Sequence, residues 1–128
     1  MIYVDSSIAL ARLLFEPRAP RAPFWQKHLV SSRLLEYEVW NRVHAYGLIN
    51  SHGQATSALL AGIELLELDR RVLARALDPW PITIRTLDAL HLATVEYLRS
   101  LGASIELASY DNRFLAAARA LGMRPAVL

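Results

Sequence analysis

The sequence predicts an α/β fold whose mostly parallel sheet is covered by helices on both faces. Three observations carry this expectation. Short apolar runs recur along the chain as IYV, HLVS and SIELA. Stretches with helical spacing and recognisable caps separate them. Strands that alternate with helices cannot pair as hairpins, so they pair in parallel through right-handed crossovers.

Taken in order, Ile2–Val4 is apolar and largely β-branched, as a strand buried on both faces should be. Ser6 or Ser7 is the expected cap of a first helix carrying Ile8, Leu10, Leu13 and Leu14, which should stop at Pro17. Pro17–Pro23, PRAPRAP, reads as a basic, proline-punctuated loop. A second strand is expected at His28–Ser31, and a helix capped by Ser31 or Ser32 from about Arg33 to Tyr46, closed by Gly47. The next helix is expected from about Gln54 to Leu66, with LELD leading into a fourth near Arg70–Leu77 that ends at Pro79–Trp80–Pro81. Thr86 should cap a helix from Leu87 to about Leu101, closed by Gly102. Ser104–Ala108 is a strand candidate, Asp111 or Asn112 opens a helix ending at Gly122, and Pro125–Val127 is a last strand candidate.

A chain of 128 residues suits one domain, and 54% hydrophobic residues supply its core. The absence of cysteine removes disulfides, thiolate metal sites and thiol catalysis from consideration. MIYVDSS has neither a basic n-region nor an apolar h-region, and no run approaches a membrane span, so a cytoplasmic protein with no membrane partner is expected. The net charge is only +2, yet thirteen arginines stand against one lysine, Lys27. Arginine forks match phosphate oxygens, which suits a nucleic-acid partner; a codon bias would give the same count.

Four acids attract attention. Asp5 follows the first strand and Asp111 follows SIELA, and open parallel sheets bind ligands outside the carboxyl ends of their strands. Each could equally be a simple cap. Asp88 lies in the first turn of its helix, where the helix dipole favours a carboxylate, and His91 shares its face three residues on. His91 reads more readily as a packing residue than as a metal ligand. Glu38 and Glu36 lie on one helix at faces roughly 200° apart, so only one can line a given cleft. Helical phase does not choose between them. Crowded carboxylates repel, and Mg²⁺ or Mn²⁺ removes that penalty while activating water and orienting a phosphodiester.

With these residues in view, the chain resembles the PIN-domain ribonucleases, specifically the VapC-type toxins of bacterial toxin–antitoxin pairs. The likeness runs through IYVDSS, YEVWNRV, RTLDALHLAT and ASYDNRF, and covers essentially the whole chain. It selects Glu38 over Glu36. It implies a single PIN-like domain over residues 1–128, with a five-stranded, mostly parallel sheet flanked by helices. Asp5 and Asp88 would be the main ligands of Mg²⁺ or Mn²⁺, with Glu38 and Asp111 completing the catalytic set, partly through water. Ser7 and Ser109 would hydrogen-bond the acids or a metal-bound water. His91 matches a common variant of the third motif, in keeping with a structural role. Ser6 and Ser109 stand where threonine is frequent, and both keep the hydroxyl.

The resemblance further implies an endoribonuclease acting on RNA, often tRNA or ribosomal RNA, a cognate antitoxin and a homodimer. Arg12, Arg42, Arg85 and Arg113 are candidates for holding the RNA backbone. Trp25, Trp40 and Trp80 suit either core or interface. A PIN nuclease of RNA processing and a non-catalytic PIN module are the alternatives. A phosphoacceptor receiver would need a late lysine, and a haloacid-dehalogenase-type phosphatase would need Asp-x-Asp after the first strand; the chain has neither.

Overall fold

A computed structural model describes all residues, 1–128. The order of elements is β1 (Ile2–Val4), α1 (Ser6–Leu13), a 3₁₀ turn (Ala22–Gln26), β2 (Leu29–Ser32), α2 (Leu34–Ala45), α3 (Ile49–Ala61), β3 (Glu64–Leu66), α4 (Arg70–Leu77), α5 (Thr86–Ser100), β4 (Glu106–Ala108), α6 (Asn112–Ala120) and β5 (Arg124–Pro125). The five strands form one sheet in the order β3-β2-β1-β4-β5, and every pair is parallel.

Strand side chains alternate between faces, and the core divides accordingly. Ile2, Val4, Leu29 and Ala108 join one apolar cluster with Ile8, Leu35, Val39 and Val43 of α1 and α2. Tyr3, Val30 and Leu107 turn the other way, into a cluster with Leu92, Val95 and Leu98 of α5 and Phe114 of α6. The register Ile2↔Leu29, Tyr3↔Val30, Tyr3↔Leu107 and Val4↔Ala108 keeps partners on the same face. A one-residue slip would exchange the two clusters, so burial on both sides fixes the register. Trp25 and Trp40 lie half-buried against the first cluster and Trp80 against the second. Arg75 stacks 3.6 Å from the Trp80 ring centroid and pairs with Glu96 at 2.5 Å, tying α4 to α5.

Several local expectations need correction. The helix expected at Gln54–Leu66 begins at Ile49 and ends at Ala61; its last residues instead form β3. Glutamate and leucine suit a helix locally, but pairing with β2 (Val30↔Glu64, Ser32↔Leu66) overrides that preference. α1 is capped by Asp5 rather than by Ser6 or Ser7, and it ends at Leu13, before Pro17. Phe15 then turns the chain with φ +53°. Arg85, not Thr86, is the N-cap of α5, and it makes no side-chain capping bond. Arg33 holds the corresponding place on α2, although Ser32 Oγ accepts from the Leu34 N–H at 3.1 Å. The second and last strands run Leu29–Ser32 and Arg124–Pro125. α5 and α6 close as expected at Gly102 and Gly122, both at positive φ.

Candidate active site

β1 lies between β2 and β4, so the chain order reverses beside it, and β1 and β4 are adjacent at that point. Ligands of open α/β sheets gather outside the carboxyl ends of strands at such a reversal. Asp5 follows β1 and Asp111 lies three residues beyond β4, so both stand on the same rim. A cavity of about 700 Å³ opens there, lined by Asp5, Glu38, Asp88 and Asp111 together with Arg18, Arg42 and Arg85. The four acids singled out in the sequence therefore share one cavity. Glu36 points elsewhere: it pairs with Arg33 at 3.5 Å and lines a separate depression with Trp40.

Each carboxylate has its own partners. Asp5 is buried, at 8% exposure. The Ser7 and Ser109 hydroxyls both donate to its Oδ2, each at 2.8 Å. Each hydroxyl also accepts a backbone N–H from the loop after β4: Tyr110 N to Ser7 Oγ and Asp111 N to Ser109 Oγ, both 2.9 Å. Two serines thus brace the end of β1 to the end of β4 and hold Asp5 by a single oxygen. Both serines were expected to bond the acids or a metal-bound water, and here both hydroxyls bond Asp5.

Asp88 and Asp111 flank one guanidinium. Arg85 Nε donates to Asp88 Oδ2 and Arg85 Nη2 to Asp111 Oδ2, each at 3.3 Å. Burial raises the Asp88 pKa above the ordinary carboxylate value; Arg85 opposes the shift, and the Asp111 and Asp5 charges add to it. Asp111 also caps α6 through Oδ1, accepting from Arg113 N and Phe114 N. The capping role and the cavity role coexist, on separate oxygens. Glu38 Oε1 lies 2.5 Å from His91 Nε2, and His91 Nδ1 lies 2.7 Å from the Tyr3 hydroxyl.

The expected phosphate-holding arginines divide. Arg42 and Arg85 line the cavity. Arg12 does not; it stacks 4.6 Å from the Trp25 ring centroid. Arg113 is exposed at the start of α6, away from the cavity lining. Arg18 was not anticipated. It reaches the cavity from the PRAPRAP loop, stacked over Tyr110, and the basic character of that loop was its only signal in the sequence.

As the side chains stand, no group of three acids or histidines is close enough to enclose an ion. Mg²⁺ keeps several waters and needs only one or two direct carboxylates, so the donor set still fits a hard divalent cation. Two observations favour that fit: an Asp88 whose pKa is raised first by burial and then by the Asp111 and Asp5 charges, and an Asp5 whose two serine bonds fall on one oxygen. No nitrogen or sulfur ligand lines the cavity to draw a softer metal.

Comparison with known proteins identifies the family. Residues 2–120 match the PIN domain family. Ribonuclease VapC46 of Mycobacterium tuberculosis is 40% identical over 126 residues, covering 95% of this chain and 93% of the relative. Ribonuclease VapC47 of the same species is 33% identical, again across 95% and 93%. A chain of a toxin–antitoxin complex from Klebsiella pneumoniae superposes with a TM-score of 0.67 over 94% of both chains, at 18% identity, and so shares the fold. On the family match and the two VapC relatives, the chain belongs to the PIN domain family, in its VapC branch.

Proposed function

We propose that this chain is one PIN domain acting as an Mg²⁺- or Mn²⁺-dependent endoribonuclease, the toxin of a type II toxin–antitoxin pair. The observation that carries the reading is the single cavity in which Asp5, Glu38, Asp88 and Asp111 meet beneath Arg18, Arg42 and Arg85. Acids at the floor suit a divalent ion, and guanidinium groups at the rim suit a polyanion. The VapC relatives are named ribonucleases, and the structural neighbour comes from a toxin–antitoxin complex; both support the assignment.

In this reading Asp5 and Asp88 would hold the ion directly, and Glu38 and Asp111 would complete its surroundings, partly through water. The ion, when bound, lowers the pKa of water and offsets charge on the phosphate. The chain's own residues do the rest. Ser7 and Ser109 keep Asp5 aimed into the cavity. Arg85, held between Asp88 and Asp111, is free to turn to a phosphate once those charges are balanced otherwise. Arg42 and Arg18 grip the flanking backbone. No histidine lines the cavity, so an imidazole pair acting through the RNA 2′-hydroxyl is not available. Water attack leaves 5′-phosphate and 3′-hydroxyl ends.

Structured RNA, tRNA or ribosomal, is the substrate that the VapC resemblance implies. The antitoxin is expected to cover the same cavity, and the chain to act as a homodimer in the cytoplasm. No helix is long and apolar enough to cross a membrane. Sequencing RNA 5′ ends after brief expression tests the proposal. Discrete new 5′-phosphate ends should appear with wild type and vanish with Asp5→Asn. An Asp5→Asn protein that cleaves as wild type does, or full activity in excess EDTA, refutes it.

A further inference from the structure

We infer that His91 is the positioning residue for Glu38, and that a Tyr3–His91–Glu38 chain of hydrogen bonds sets which way that carboxylate faces. The inference rests on the reading of Glu38 as a site acid, and it gives a role to a buried histidine that the proposed chemistry does not otherwise use.

His91 is 1% exposed. Its ring meets Tyr3 edge-on at 5.8 Å between centroids and Phe114 edge-on at 6.2 Å, so packing on two sides fixes its plane. The proton positions follow from the network. The Ser32 N–H donates to the Tyr3 oxygen at 3.1 Å. The Tyr3 proton is then free to go to His91 Nδ1, 2.7 Å away. An imidazole that accepts at Nδ1 carries its proton at Nε2, and Nε2 faces Glu38 Oε1 at 2.5 Å. Every polar atom of the chain is thereby matched, donor to acceptor.

The geometry spans the fold. Glu38 projects from α2, whose buried residues belong to the first core cluster; His91 and Tyr3 belong to the second side of the sheet. The contact therefore joins the two helical layers over the rim where the cavity opens. A free glutamate has three side-chain torsions, and ordering it costs rotamer entropy. His91 meets that cost through one oxygen and leaves Oε2 for the cavity. Without it, Glu38 has an alternative partner four residues on, Arg42, which in this structure turns to the Tyr46 hydroxyl.

Three variants and one spectrum test this. His91→Gln keeps a donor near the Nε2 position, His91→Leu removes it, and Tyr3→Phe removes the proton that fixes the tautomer. Mn²⁺ affinity of each protein by calorimetry and the split of kcat from KM are the readouts. Loss of a group that orients a ligand typically costs about 10–100-fold in affinity or activity. His91→Leu should fall in that range, in kcat and Mn²⁺ affinity with little change in KM, and His91→Gln should recover most of it. Tyr3→Phe should lie between wild type and His91→Leu. The ¹⁵N spectrum of the metal-free wild type should place the proton on His91 Nε2, and Glu38→Gln should shift that resonance.

Should His91→Leu fail to fold, the spectrum, His91→Gln and Tyr3→Phe still decide. A proton on Nδ1, or a folded His91→Leu with wild-type Mn²⁺ affinity beside an inactive Glu38→Gln, overturns the positioning role alone. Wild-type activity in Glu38→Gln instead overturns the reading of Glu38 on which it stands.

Discussion

Removing the Ser109 hydroxyl should destabilise the protein far more than removing the charge it serves. In Ser109→Ala, Asp5 loses a charge-assisted hydrogen bond of 2.8 Å, and the Asp111 N–H loses its acceptor at 2.9 Å. A hydrogen bond to a charged group contributes about 1.5–3 kcal/mol, and a buried donor left unpaired costs about 1–3 kcal/mol. Ser109 is 4% exposed, so water cannot readily replace it. The two losses overlap, and a total near 3 kcal/mol is expected; at about 4 °C per kcal/mol for a chain of this size, Tm falls by about 12 °C. Asp5→Asn keeps an oxygen where Oδ2 stood, so both serine bonds survive as neutral ones, and stability should change by less than about 1 kcal/mol. Ser7 is less buried, and Ser7→Ala should cost about 1–2 kcal/mol. The double serine variant strips both hydroxyl donors from one buried carboxylate, so its cost should exceed the sum of the singles by about 1 kcal/mol. Urea unfolding in EDTA, with unchanged slopes, measures all four proteins. Ser109→Ala within about 0.5 kcal/mol of wild type, or Asp5→Asn less stable than Ser109→Ala, would refute the bracing argument.

Asp88→Asn should abolish cleavage yet unfold in EDTA at or above the wild-type temperature, because burial and neighbouring acids oppose the charge it removes. The sign of the pH effect follows from the raised folded-state pKa. Asp88 contributes its stability below the ordinary carboxylate range and loses it as pH rises through the raised value, so the advantage of Asp88→Asn should shrink between neutral pH and about pH 4; an advantage that grows on acidification contradicts this. Glu36→Gln should cleave RNA at the wild-type rate while Glu38→Gln does not, since Glu36 pairs with Arg33 outside the cavity; equal losses in the two would refute the assignment. Arg85→Ala should weaken RNA binding for all sequences alike and lower the slope of log affinity against log salt by about one, as measured by titration at several ionic strengths. Phe114→Ala, removing a ring that is 1% exposed between α5 and the sheet, should cost about 3–5 kcal/mol in urea unfolding, and a loss under 1 kcal/mol would mean the second cluster is not packed as described.

Much of the fold was legible because it depends on local pattern. Ile2–Val4 reads as a buried strand from three apolar residues, and Asp5 and Asp111 are placed on strand ends by chain position alone. The family resemblance then singled out RTLDALHLAT and Glu38. β3 was not legible. Glu64–Leu66 has the local preferences of a helix, and it becomes a strand because the edge of β2 offers backbone partners that no local rule reports. The serine braces were anticipated only as contacts, not as a link between two loops.

The sequence by itself determined the alternation of strands and helices, the parallel sheet and the two acids that follow β1 and β4, because periodicity, capping and strand ends are properties of neighbouring residues. Only the tertiary structure decided the rest. Glu36 and Glu38 flank the buried Leu35, Val39 and Val43 on opposite sides, and it is the packing of α2 that turns Glu38 toward α5. The same packing turned His91 from a residue of the core into the partner of Glu38, brought Arg18 to the cavity and took Arg12 away from it. Those outcomes depend on contacts between residues tens of positions apart, and such contacts exist only once the two core clusters have closed on the sheet.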